Sequence, residues 1–142
     1  AGVPVRQGVA ITGSVNQRGA VQAIGGVNEK VEGFFAVCRH AGLTGEQGVV
    51  IPKANARNLM LRDEVVQAVR DGSFSIWAVE HVDDALAILT GREPGEPGPD
   101  GAYPSGTIYD AVVKRLDELS EQRQRIAAAS TPGHQPETQQ PG

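Results

Sequence analysis

An α/β fold is predicted for this 142-residue chain by three observations: short β-branched runs of strand length, helical apolar spacing between them, and glycine or proline at most junctions. Residues 8–15, GVAITGSV, lean toward β-branched and apolar side chains and then meet Asn16 and Gly19, which reads as a strand followed by a turn. Residues 20–24 read as a short returning strand. Gly25-Gly26 then precedes Val27, Val31, Phe34, Phe35 and Cys38 at helical spacing, and Ala41-Gly42 closes this central helix. Residues 48–51 form an apolar run ended by Pro52, as expected of a buried strand in a mixed or parallel sheet. Residues 55–61 predict a helical turn. In residues 62–70, Val65, Val66 and Val69 share one helical face and Asp71-Gly72 supplies a stop. Residues 73–80 read as a strand, and 82–89 as a helix with Asp83 and Asp84 in its first turn, where acids suit the helix dipole.

From Gly91 the composition changes. Residues 91–106 are rich in Pro and Gly and predict a mobile linker, so the compact domain is expected to span 1–90. Tyr109, Val112, Leu116, Leu119 and Ile126 then fall at three- and four-residue steps, predicting a charged, one-sided helix over 107–129. Residues 130–142 are polar and Pro-containing and predict a disordered tail.

Composition removes several function classes. The hydrophobic fraction of 39% suffices for one modest core with a polar extension. The formal charge is −4 and the basic residues are scattered, so no nucleic-acid footprint is present. No apolar run approaches membrane-spanning length. Cys38 is the only cysteine; beside Phe34 and Phe35 at helical spacing it reads as a core thiol, and it allows neither a disulfide framework nor a cysteine metal cage. A reducing cytoplasm suits this usage. The chain begins Ala-Gly-Val-Pro, with neither a starting methionine nor a leader pattern, which predicts a cut precursor or a fragment.

Nucleotide and metal motifs fail on spacing. No Gly-Lys pair exists, so the lysine and hydroxyl of a phosphate-binding loop have no place. The glycines of GLTGEQG, residues 42–48, are evenly spaced and precede a strand rather than a helix, unlike the dinucleotide fingerprint. His40, His81 and His134 form no His-x-x-x-His pair and accompany no Gly-x-Ser-x-Gly elbow, so each reads as a surface or capping residue.

The informative stretch is TGSVNQRGAVQAIGGVNEK, residues 12–30. Taken alone it is a strand end at Thr12, a glycine-punctuated hairpin, and a helix opened by Gly25-Gly26 with Lys30 in its first or second turn, where a lysine is ordinarily a solvated charge. Taken with the helix closing in His-Ala-Gly and the segments GVVIPK and ANARNL, it resembles the proteolytic domain of Lon-type ATP-dependent proteases over about residues 7–90, on the side of the B-type or Lon-like branch. The resemblance implies the C-terminal part of that fold and a Ser/Lys dyad in which Lys30 is the general base and Thr12 orients its amine. It places the family's serine upstream of Thr12, so none of Ser14, Ser73, Ser75 or Ser105 is assigned as nucleophile, and the chain by itself is expected to be inactive. It also implies an ATP-dependent endopeptidase acting on misfolded or regulatory proteins in the cytoplasm, assembled as a homo-oligomeric ring of six subunits. No cofactor is expected in this segment; ATP and magnesium belong to an ATPase domain elsewhere in the parent protein. A lysine must shed its proton to act as a base, which burial among apolar side chains and the positive end of a helix dipole both favour, and this is expected of Lys30. Two readings from other classes stand beside this one: a non-catalytic Lon-like module for assembly or peptide binding, and a C-terminal helix that is itself a coiled-coil partner site.

Overall fold

The structure, a computed structural model, describes residues 1–129. Its centre is a three-stranded parallel sheet in the order β1 (Val9–Ile11), β4 (Gly48–Pro52), β5 (Ser75–Val79). Val9 pairs with Gly48 on one side of β4, and Gly48 pairs with Ser75 on the other. The central strand is buried along its whole length, which explains its unbroken apolar sequence GVVIP.

Alternation along β4 divides the core between the two faces of the sheet. Val49 and Ile51 face one side, where Val27, Val31, Phe35 and Cys38 of α1 (Val27–Ala41) and Val65 and Ala68 of α3 (Asp63–Arg70) cover them. Phe74 fills the space between these helices and meets Phe35 edge-on at 5.2 Å between ring centres. Val50 faces the other side and packs with Val9, Val79 and Ala85 of α4 (Val82–Thr90). Val31, Val50, Ile51 and Val65 have no exposed surface; burying each stabilises the fold by about 1.5–3 kcal/mol.

The predicted strand over 8–15 is broken in two. β1 ends at Ile11, and Ser14–Val15 forms β2, which pairs antiparallel with β3 (Val21–Gln22) in a separate two-stranded sheet. The break falls where Pro52 and Val21 crowd Gly13: a Cβ there would sit 3.3 Å from the proline ring and 3.4 Å from the valine. The hairpin turn is organised by Asn16, whose side-chain oxygen accepts from the backbone N–H of Arg18 and of Ala20. Val21 N–H donates to Glu80 and Val82 N–H to Gly19, which tie the hairpin to the junction of β5 and α4.

The helical turn expected over 55–61 starts earlier, as α2 (Lys53–Ala56) directly after Pro52, and residues 57–58 continue as a turn. Residues 91–107 contain no helix or strand. They do not run free, however, because Ile108 N–H donates to Glu93 and Tyr109 N–H to Pro94 at the start of α5 (Ile108–Ala129). Ile108 is buried, whereas Val113, Leu116, Leu119 and Ile126 are exposed, so only the first turn of α5 packs on the body. The tail predicted over 130–142 lies outside the described residues.

Candidate active site

Lys30 reaches its place through an unusual helix start. Gly26, the residue before α1, is left-handed at φ 69°, a conformation natural to glycine, and no side chain caps the helix. Lys30 N–H makes the first intrahelical bond, to Gly26 O at 3.1 Å. The Lys30 side chain therefore projects from the first turn, in the positive field of unpaired backbone amides.

The burial expected of Lys30 is not provided by the described residues: it is exposed. The cause is helical phase. Val27, Val31, Phe35 and Cys38 take the core-facing stripe, and Lys30 stands one residue, about 100°, away from Val31. What distinguishes Lys30 is charge. The chain has three lysines; Lys53 pairs with Glu80 at 3.1 Å and Lys114 with Asp110 at 2.9 Å, whereas Lys30 has no carboxylate partner among the described residues.

Thr12 follows β1 and is held by its backbone N–H, which donates to Val50 O at 3.0 Å. It is half-buried, and it helps to wall a hollow of about 280 Å³ with Ile11, Val15, Val21 and Val82. No hydrogen bond joins the Thr12 hydroxyl to the Lys30 amine among the described residues.

Ser14, Ser73, Cys38 and His81 have structural roles. Ser14 Oγ donates to Gln22 Oε1 at 3.3 Å across the hairpin, and the strand break removes the shared face with Thr12 that an unbroken strand would give. Ser73 Oγ donates to Ala68 O at the end of α3. Cys38 is buried, and that burial pushes its thiol pKa up, as suits a core residue rather than a nucleophile. His81 caps α4: Nδ1 accepts from Asp83 N–H, the Asp84 carboxylate accepts from His81 N–H, and Nε2 lies 3.0 Å from Arg18 O of the hairpin turn. Among the described residues no group of His, Cys, Asp and Glu could hold a metal ion, and no helix is long and apolar enough to cross a membrane.

Sequence reasoning missed Asn55. Its side chain forms two hydrogen bonds with the backbone of Ile24, accepting from N–H at 3.1 Å and donating to C=O at 2.9 Å. Nothing local signals this pairing, which spans 31 residues.

The family model of the Lon protease (S16) C-terminal proteolytic domain matches residues 1–91. The chain belongs to the Lon protease family. It is 47% identical over 125 residues to the protein named "Putative Lon protease homolog" of Escherichia coli (strain K12), covering 88% of this chain and 20% of that protein. The protein of the same name from Haemophilus influenzae (strain ATCC 51907 / DSM 11121 / KW20 / Rd) is 40% identical over 82% of this chain and 20% of its own length. The "Archaeal Lon protease" of Halobacterium salinarum (strain ATCC 700922 / JCM 11081 / NRC-1) is 30% identical over 83% of this chain and 13% of its own length. The chain thus spans a fifth or less of these curated Lon relatives. The family model ends at residue 91, whereas the alignments of 125 and 117 residues to the two Lon homologs run past it into α5.

Proposed function

We propose that this chain supplies the proton-transfer half of a Ser/Lys endopeptidase, with Lys30 as general base and Thr12 as its orienting partner. The observation that carries the reading is the uncompensated amine of Lys30 at the first turn of α1. Lys30 makes no ion pair among the described residues, unlike Lys53 and Lys114, so its amine is left available to a group outside this chain. Thr12 adds a neutral hydroxyl, able to accept from or donate to an amine without restoring charge. Its backbone is fixed where β1 ends, by the bond from Thr12 N–H to Val50 O of the central strand.

In the complete protein a serine from outside this chain would give its proton to the Lys30 amine as its oxygen attacks the scissile carbonyl. The Lys30 ammonium would then pass that proton to the departing amine, and water would release the acyl group by the same exchange. Backbone amides around that serine would stabilise the oxyanion. The substrates are proteins, the assembly a ring of six copies, the compartment the cytoplasm, and ATP with magnesium is handled by a separate ATPase domain of the whole protein.

The test is made in the full-length protein. Lys30→Arg keeps the charge and helix but replaces the amine with a guanidinium whose pKa stays above about 12, so it cannot act as a base. Peptide hydrolysis should fall to near background while ATPase activity stays within a few-fold. Thr12→Val, which loses the hydroxyl and keeps the shape, should lower turnover by roughly 10–100-fold. Near-normal cleavage by Lys30→Arg with the fold intact would end the assignment.

A further inference from the structure

The approach to α1 is held from outside the helix. Ile24 is followed by two glycines, the freest residues in the unfolded chain, and the second of them starts α1 without a side-chain cap. A flexible pair at that point would let the first turn, and the Lys30 amine with it, wander relative to the sheet. The two-bond grip of Asn55 on Ile24 closes this freedom immediately before the glycines. Both backbone polar groups of Ile24 are used, and both bonds are partly buried, where an unpaired partner is costly.

Asn55 is itself fixed, because α2 starts directly after Pro52 of the fully buried β4. That same strand holds Thr12 through Val50 O. The grip on Ile24 is one of three polar links that run from the lead-in and first two turns of α1 to the segment after β4. Asn28 Oδ1 accepts from Met60 N–H at 3.1 Å, and Glu32 Oε1 accepts from Arg62 N–H at 2.9 Å. Asn28 and Glu32 lie one helical turn apart on one flank of the core stripe, and Lys30 lies on the other flank. The arrangement leaves Lys30 unattached while its backbone is tied down.

We infer that Asn55 is a positioning residue for Lys30: its amide grip on Ile24 sets the start of α1 and, with Val50 holding Thr12, indexes the amine and the hydroxyl to the single β4–α2 unit. This rests on the proposed role of Lys30 as base. Asn55 touches neither Lys30 nor substrate, so its effect should appear in turnover rather than in substrate binding.

The experiment uses the full-length protein with three variants: Asn55→Ala, Asn55→Asp and Lys30→Ala. Asn55→Asp keeps the acceptor for Ile24 N–H, loses the donor to Ile24 O, and keeps the size should the alanine variant fail to fold. Peptide kcat should fall about 10–100-fold in the Asn55 variants with KM changed less than about threefold. The acidic limb of the kcat against pH profile should shift, because it reports the base. ATPase activity should stay within about twofold, and hydrogen exchange should accelerate by about 10-fold or more in residues 23–27 only. If Lys30→Ala abolishes hydrolysis but both Asn55 variants keep kcat within threefold and leave the pH limb in place, the inference fails and the reading of Lys30 survives. If kcat, KM and ATPase activity fall together, Asn55 is a stability residue and the inference fails again. If Lys30→Ala still cleaves peptides, the base assignment itself falls and takes this inference with it.

Discussion

At the scale of single residues, Gly48 makes the sharpest demand. It stands between β1 and β5 in the central strand, and a Cβ there would lie 2.2 Å from Ser75 O and 2.6 Å from the Trp77 ring. One collision is with backbone, which cannot step aside without opening the sheet. Gly48→Ala should therefore cost at least about 3 kcal/mol and lower the melting temperature by about 10 °C or more in a circular-dichroism melt. A change of under about 1 °C would contradict the pairing of Gly48 with Ser75. The candidate site is only partly legible at this scale. Lys30 can be placed at a helix start because Gly25-Gly26 and the spacing of Val27, Val31 and Phe35 are local signals. Its exposure is not legible in the same way: the apolar neighbours in sequence turn out to face the core, one helical step away from it. Asn55 is hidden for a different reason, since its partner is 31 residues distant and the bond depends on how β4 and α1 pack.

Among the elements, the first turn of α5 joins the α/β body to the C-terminal helix. Thr107 Oγ1 accepts from Asp110 N–H; the Asp110 carboxylate accepts from Lys114 and from Gly106 N–H, and those two bonds hold its carboxyl pKa below the ordinary value. The Tyr109 hydroxyl donates to Asp83 of α4, and Ile108 is buried beside it. The hydrogen bond to Asp83, then burial, then the charges of Asp83 and Tyr103 push the Tyr109 phenol up from its ordinary value to about 12. A raised folded-state pKa stabilises the neutral phenol. Its contribution is thus full below the unfolded pKa near 10 and fades as pH rises toward about 12. Tyr109→Phe should remove that alkaline dependence, cost about 1–2 kcal/mol, and speed hydrogen exchange in residues 108–112 while the sheet stays protected. Unchanged exchange there would mean that the bond does not anchor the helix. Element types are legible where periodicity is long, as in α1 and α5. The split of residues 8–15 is not, because alternation alone cannot register Pro52 and Val21 pressing on Gly13.

Across the whole molecule, the core is one thin parallel sheet with a cluster on each face, and α5 contributes little to either beyond Ile108. Leu116 is 59% exposed and Leu119 is 43% exposed, so the double variant Leu116→Ala, Leu119→Ala should melt within about 4 °C of the parent, equivalent to under about 1 kcal/mol. A larger loss would place hidden packing along the helix. The α/β class is legible because strand-length apolar runs alternate with helical sequence; which residues close the two faces is not, because that depends on crossings between distant segments. The attachment of α5 also has a mechanical side. Its 22 residues, at 1.5 Å each, make a rod about 33 Å long whose first turn is fastened to the body. The Tyr109–Asp83 bond is the pivot of a lever: a tilt of roughly 10° at the base sweeps the far end through about 6 Å, and force applied at the tip arrives at Asp83, beside the His81 cap that grips the hairpin, multiplied by the ratio of the arms.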